Sequence, residues 1–183
     1  MNNYIETTDM TAVRPSIHFR SGALHFVAPG GRGPTGPQTL TQTVCAGVEK
    51  VDERALQPVA AGRASPAFQP KFMLALLTYS YARQIYGSKA VERLMAGDPA
   101  FCEVCQNEFP SARMISQFRN DNRQSIRACL IDALTFLARQ KMGAGIVTRI
   151  KEAWIAEDAN RRLITAMCID SADLERGQCS FTS

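Results

Sequence analysis

Beyond residue 50, apolar residues recur at helical spacing, and no stretch there alternates for long enough to make a strand. Asp52 to Ala60 is predicted to form a short helix. GRASPAFQP follows as a linker and ends in Pro70, a proline placed for a first helical turn. KFMLALLTYSYARQIY, Lys71 to Tyr86, is apolar on nearly every side at helix length, which predicts a buried central helix stopped by Gly87. Ser88 is placed to cap a helix over Lys89 to Ala96, ended by Gly97. Asp98-Pro99 signals a further start, reaching about Asn107.

Pro110 and Ser111 then introduce a short helix, Ala112 to Arg119. Asn120 to Lys141 has the cleanest amphipathic pattern. Ile126, Cys129, Leu130, Ala133, Leu134 and Leu137 share one face, with Arg123, Gln124 and Arg127 largely off it. Gly143 and Gly145 break the chain. A final helix is predicted over Ile150 to Leu174, with Trp154, Leu163 and Met167 packing inward.

The first fifty residues read differently. HFVAPGGRGPTGPQTLTQT is rich in Gly, Pro and Thr and has no stable period, so this region is expected to be a disordered tail. The alternation in SIHFRSGALHFVA fits a strand or hairpin, but no other segment offers partner strands. The expected class is therefore all-α: a compact multi-helix domain with a helix-turn-helix-like unit, a disordered N-terminal tail and a long C-terminal helix. The expected divisions are 1–50 for the tail, 51–145 for the helical domain and 146–183 for the terminal helix.

Charge sharpens this picture. The net charge is +4, but Lys71 to Lys151 carries twelve Lys/Arg against six Asp/Glu, while Glu152 to Ser183 carries three against six. A basic middle with an acidic end suits a polyanionic partner. No apolar run approaches membrane-spanning length and no signal peptide is visible, so a cytoplasmic protein without a membrane role is expected. The six cysteines then read as free thiols.

Candidate chemistry is sparse. Cys102 and Cys105 form a lone C-x-x-C without a second ligand pair, so no metal is expected there. His18 and His25, the only histidines, fall in the expected tail. Asp98 reads as a helix cap, and Asp121 and Asp132 as surface charges, not as a two-metal carboxylate set. Gly30-Gly31-Arg32-Gly33 lacks the Gly-Lys-Ser/Thr and the strand-loop-helix frame of a phosphate loop. Tyr79, Tyr81 and Tyr86 read as core. No catalytic residue and no cofactor is assigned.

The helix Ala112–Arg119 is more informative. Met114, Ile115 and Phe118 can face a core and leave Arg113, Ser116 and Gln117 outward, the pattern of a helix that reads a DNA groove. Arginine can bridge guanine and glutamine adenine. Ser111 and the first backbone N–H groups can hold a phosphate. Lys89, Arg119, Arg123 and Arg127 complete the candidate DNA-binding set. The bland alternative is a solvated helix face.

The ordered succession of these motifs resembles the N-terminal domain of bacterial insertion-sequence transposases of the DDE class. Phe68 and Pro70 open a leucine-rich helix with Leu74, Leu76, Leu77, Tyr79 and Tyr81. Gly87, Ser88 and Lys89 stand at a following turn, with Glu92 in the next helix. Asp98 precedes Phe101. Pro110 to Arg119 takes the place of the family's Pro-Asp-His-Ser-Thr-Ile-Ser-Arg-Phe-Arg. The resemblance covers about Phe68 to Leu137. It departs from the family where Ser111, Ala112 and Met114 replace the Asp-His pair and the Thr.

The resemblance implies recognition of mobile-element ends on double-stranded DNA by a truncated or split transposase. Its catalytic RNase H-like domain would be absent from this chain and supplied by a separately encoded subunit. A different class stays open: a helical interaction or oligomerisation module, for instance a homodimer joined through the acidic last helix and Trp154, that has lost DNA binding and modulates a full-length transposase.

Overall fold

A computed structural model describes residues 16–20, 23–27, 38–59, 69–97 and 109–179. The fold is all-α apart from one hairpin. Strands β1 (Ser16–Arg20) and β2 (Ala23–Val27) pair antiparallel, with Ile17 opposite Phe26 and His18 opposite His25. The alternating segment therefore finds its partner in itself, and β2 lies against the first helix.

That helix, α1 (Leu40–Glu49), falls inside the expected tail and corrects the boundary at residue 51. Its start is a reciprocal cap: Thr39 Oγ1 accepts from Gln42 N at 3.2 Å, and Gln42 Oε1 accepts from Thr39 N at 2.9 Å. Val44, Cys45 and Val48 go into the core. The Thr and Gln residues that looked like low-complexity tail are a helix start. The next segment is also corrected, since only a single 3₁₀ turn forms, Glu53–Ala55.

Helix α2 (Pro70–Ala82) begins on its proline and buries Met73, Leu74, Leu76, Leu77 and Tyr81. It stops earlier than expected. Gln84 takes the left-handed conformation, φ 65°, and reverses the chain before Gly87 is reached. Gly87 serves another purpose. A Cβ there would sit 2.9 Å from Ile169 Cγ2 on the last helix. The glycine permits a close approach of two chain segments far apart in sequence.

Helices α3 (Ser88–Gly97), α4 (Ala112–Asp121) and α5 (Arg123–Gly143) follow, and α6 (Glu152–Cys179) ends the described chain. The helix expected over 98–107, with Cys102 and Cys105, lies outside the described residues. Helix α5 packs on α1, α2 and α6, and α3 packs on α4. Its buried residues are the expected Ile126, Cys129, Leu130, Ala133 and Leu134, with Leu137 partly buried beside them.

Helix α6 buries Ala159, Leu163 and Ala166 along a seam spaced four and three residues apart. Trp154 corrects its expectation. It is 60% exposed, with Lys151 Nζ 4.3 Å from its ring centroid. No helix among the described residues is long and apolar enough to cross a membrane.

The close approach at Gly87 is testable. Gly87→Ala is expected to lower the unfolding free energy by about 1–3 kcal/mol, since the close contact with Ile169 must open. Ile169→Ala should relieve most of that loss in the double variant. Urea unfolding of the four proteins measures it, and strict additivity would refute the steric account.

Candidate nucleic-acid interface

Helix α4 starts at Ser111, whose Oγ accepts from Met114 N at 3.4 Å. Ser111 is thus occupied as its own helix's cap. From there the side chains divide by face. Ile115 and Phe118 are fully buried, and Met114 packs at the edge of the core. Arg113 and Gln117, one turn apart, are exposed on the opposite side together with Asn120. A single residue, Asn122, separates α4 from α5, so Arg123 follows immediately, and Arg123, Gln124 and Arg127 are exposed. Asp121 adds one exposed carboxylate beside them.

Asn122 fixes this corner. It is buried, and its Oδ1 accepts from Gln57 N at 2.7 Å. Its Nδ2 donates to Gln57 O and to Phe118 O, each at 3.0 Å. The amide thereby ties the segment after the 3₁₀ turn to the α4–α5 corner.

Arg119 is the largest correction to the candidate set. It was expected to touch DNA, yet it is 1% exposed and lies on the inner side of α4, four residues after Ile115. Its Nη2 donates to Asp170 Oδ2 on α6 at 2.8 Å and to Ser116 Oγ at 3.0 Å. Its Nη1 lies 3.3 Å from Ser88 Oγ and 3.4 Å from the Tyr81 hydroxyl. Ser116 is half-buried and engaged in holding this arginine. Arg119 is thereby withdrawn from DNA. Lys89 is exposed at the periphery, with Nζ 3.9 Å from Asp173 on α6.

Asp170 joins three helices. It accepts from Ser88 N at 2.8 Å and from the Ser88 hydroxyl, at the first turn of α3. Ser88 does not act as the cap expected of it, because α6 delivers a carboxylate to the start of α3 from outside. Two turns earlier on α6, Arg162 Nη1 donates to Tyr81 O at 2.8 Å and Ala82 O at 3.0 Å, the last carbonyls of α2. Asp158 holds Arg162 at 3.0 Å.

The titration behaviour follows from these contacts. Burial alone would raise the Asp170 carboxyl, but hydrogen bonds from Ser88 and Arg119 outweigh it and hold the group below the usual aspartate value. Burial pushes the Tyr81 hydroxyl up to about 12, with Arg119 opposing. Burial, and then the Asp132 carboxylate, pushes the Cys129 thiol up to about 11. Cys129 is therefore an inert core thiol at neutral pH. No cluster of three His, Cys, Asp or Glu side chains among the described residues is arranged to hold a metal ion.

Residues 37–121, from just before α1 to the last residue of α4, match the family model described as "Transposase domain (DUF772)". This stretch is similar to a transposase domain. No curated protein and no solved structure matches the chain. The match includes the outward side of α4 and its buried Arg119, while Asp170 lies beyond it.

Sequence reasoning missed Asp170 and Ser88 as the holders of Arg119. A signal was present. Asp170 continues the Ala159, Leu163, Ala166 seam, and a carboxylate on an apolar seam calls for a buried cation.

Because the folded Asp170 titrates below its unfolded value, the pair stabilises the fold at every pH above the ordinary aspartate range. That contribution is lost as pH falls through the depressed value. Asp170→Asn is expected to cost about 3 kcal/mol at neutral pH by leaving Arg119 buried without its counter-charge. The gap from wild type should close in acid below the ordinary aspartate range. Urea unfolding across pH measures both, and a gap independent of pH would refute this assignment.

Proposed function

We propose that this chain is a DNA-binding module of a transposase, reading the ends of a mobile element through the outward side of α4 and gripping the backbone from the start of α5. The observation that carries this reading is the division of α4. Arg113 and Gln117 stand free in solvent, while Ile115, Phe118 and Arg119 are locked behind them. A side chain that reads a base edge must be solvent-accessible beforehand and must project from a helix that does not roll.

Arg113 and Gln117 take the base-reading role. Arg123 and Arg127 neutralise phosphates and make binding salt-dependent. The match to a transposase domain supports the biological setting. Under this reading the helical module recognises DNA, and strand cutting is left to metal-binding carboxylates outside it.

Electrophoretic shift assays on duplexes drawn from repeats flanking the gene test the reading. Arg113→Ala and Gln117→Ala should each cost about 1–3 kcal/mol on the preferred duplex and little on unrelated DNA. Arg123→Ala should weaken all duplexes alike and lower the salt slope by about 1. Binding by the Arg113→Ala, Gln117→Ala double variant that matches wild type in strength and preference would overturn the proposal.

A further inference from the structure

The side of α6 turned away from its core seam carries a self-complementary pattern. Cys168 is exposed there, and so are Ile164 four residues before it and Ala172 four after. Arg161, which pairs with Asp158 on its own helix, lies seven before it and Glu175 seven after, both exposed. These five positions follow helical spacings of three and four, so they line one stripe. Ile164, Cys168, Ala172 and Glu175 also line one wall of an open groove of about 440 Å³, with Arg123 of α5 on its rim.

We infer that this stripe is where a second copy of the chain docks, with the two α6 helices antiparallel about a two-fold axis through Cys168. Such an axis brings each residue before Cys168 against its counterpart after it on the other copy. Arg161 of each copy meets Glu175 of the other, giving two opposite-charge contacts. Ile164 of each meets Ala172 of the other, a large side chain against a small one, which lets ridges enter grooves. Cys168, itself small, sits where the two backbones come closest.

The occupant follows from this symmetry. A partner of unrelated sequence has no reason to match a pattern whose charges reverse sign about its own centre, whereas a second copy matches it by construction. Arg161 to Glu175 spans about 21 Å of helix. A contact of that length falls among small interfaces, so the dimer forms in a concentration-dependent way.

Sedimentation equilibrium of the full chain tests the inference. Wild type should dimerise at high micromolar concentration. Arg161→Glu and Glu175→Arg should each weaken the dimer about tenfold or more, because each sets like charges opposite one another twice. The double swap should restore it. Arg161 also pairs with Asp158, which holds Arg162, so Glu175→Arg, an exposed position, carries the control: its thermal melt should stay close to wild type and exclude unfolding as the cause. Diamide oxidation of the wild type should join Cys168 to Cys168, identified by peptide mapping. A protein monomeric at every concentration, single swaps without effect, or a double swap that fails to recover would each overturn the pairing. These readouts involve no DNA, so their failure is distinct from failure of the DNA-binding proposal.

Discussion

The buried pair between Arg119 and Asp170 is the constraint on which the rest of the arrangement depends. A guanidinium at 1% exposure and a carboxylate at 8% must satisfy each other, because neither has water to fall back on. The pair brings α4 and α6 together, and Ser88 brings in the start of α3. Such a pair is poor value as raw stability, since well-packed apolar groups would serve as well. What it supplies is geometry. A carboxylate in this position accepts from one amide, one hydroxyl and one guanidinium, which ties α3, α4 and α6 to a single point.

Helix α6 is further fixed in direction. Arg162 meets the carbonyl end of α2, and Asp170, eight residues later, meets the amide end of α3. Each charge thus faces the helix terminus of opposite partial charge. Reversing α6 would set each against the wrong end. A one-residue slip would move the seam of Ala159, Leu163 and Ala166 off the core. The close approach at Gly87 sits between these two clasps, where the chain passes from α2 to α3. The front of α4 inherits this order. Its last turn is tied by Arg119 and its C-cap by Asn122, while Ile115 and Phe118 are buried behind it, so Arg113 and Gln117 project from a helix anchored along its inner side.

Much of this was legible in the sequence. The helical class, the proline start of α2, the inner face of α5 and the outward position of Arg113 and Gln117 all followed from periodicity, which records burial directly. Three features were hidden for separate reasons. Helix α1 was masked by composition, because its Thr and Gln residues resemble a polar tail until they are recognised as a capping box. The end of α2 was misplaced because Gln84 adopts a conformation usually left to glycine, while the true glycine answers a packing demand from a helix over eighty residues later. Arg119 was assigned to the surface because arginine seldom lies inside. Its spacing from Ile115 placed it inward, and its counter-charge, fifty-one residues on, could not be found by local pattern. Long-range pairing is what a single sequence expresses least.

Helix α6 is therefore asked to carry two unlike faces. Its inner face joins Arg162 with Asp158, Asp170 and the apolar seam of Ala159, Leu163 and Ala166, and it packs against this chain's own α2, α3, α4 and α5. Its outer face carries Arg161, Ile164, Cys168, Ala172 and Glu175, the pattern proposed to meet a second copy. Burial separates their behaviour. Charges on the inner face are desolvated: losing Asp170 leaves Arg119 of α4 uncompensated, and losing Arg162 leaves the last carbonyls of α2 unmet. Charges on the outer face stay wetted until association, where they select partner and register more than they add affinity. Pairing through that outer face would relate two α4 helices by a two-fold axis, and a two-fold protein is matched to DNA whose half-sites are repeated with inverted sense. The lock on one side of α6 would then set the orientation of each reading helix, and the symmetric stripe on the other would set the spacing between them.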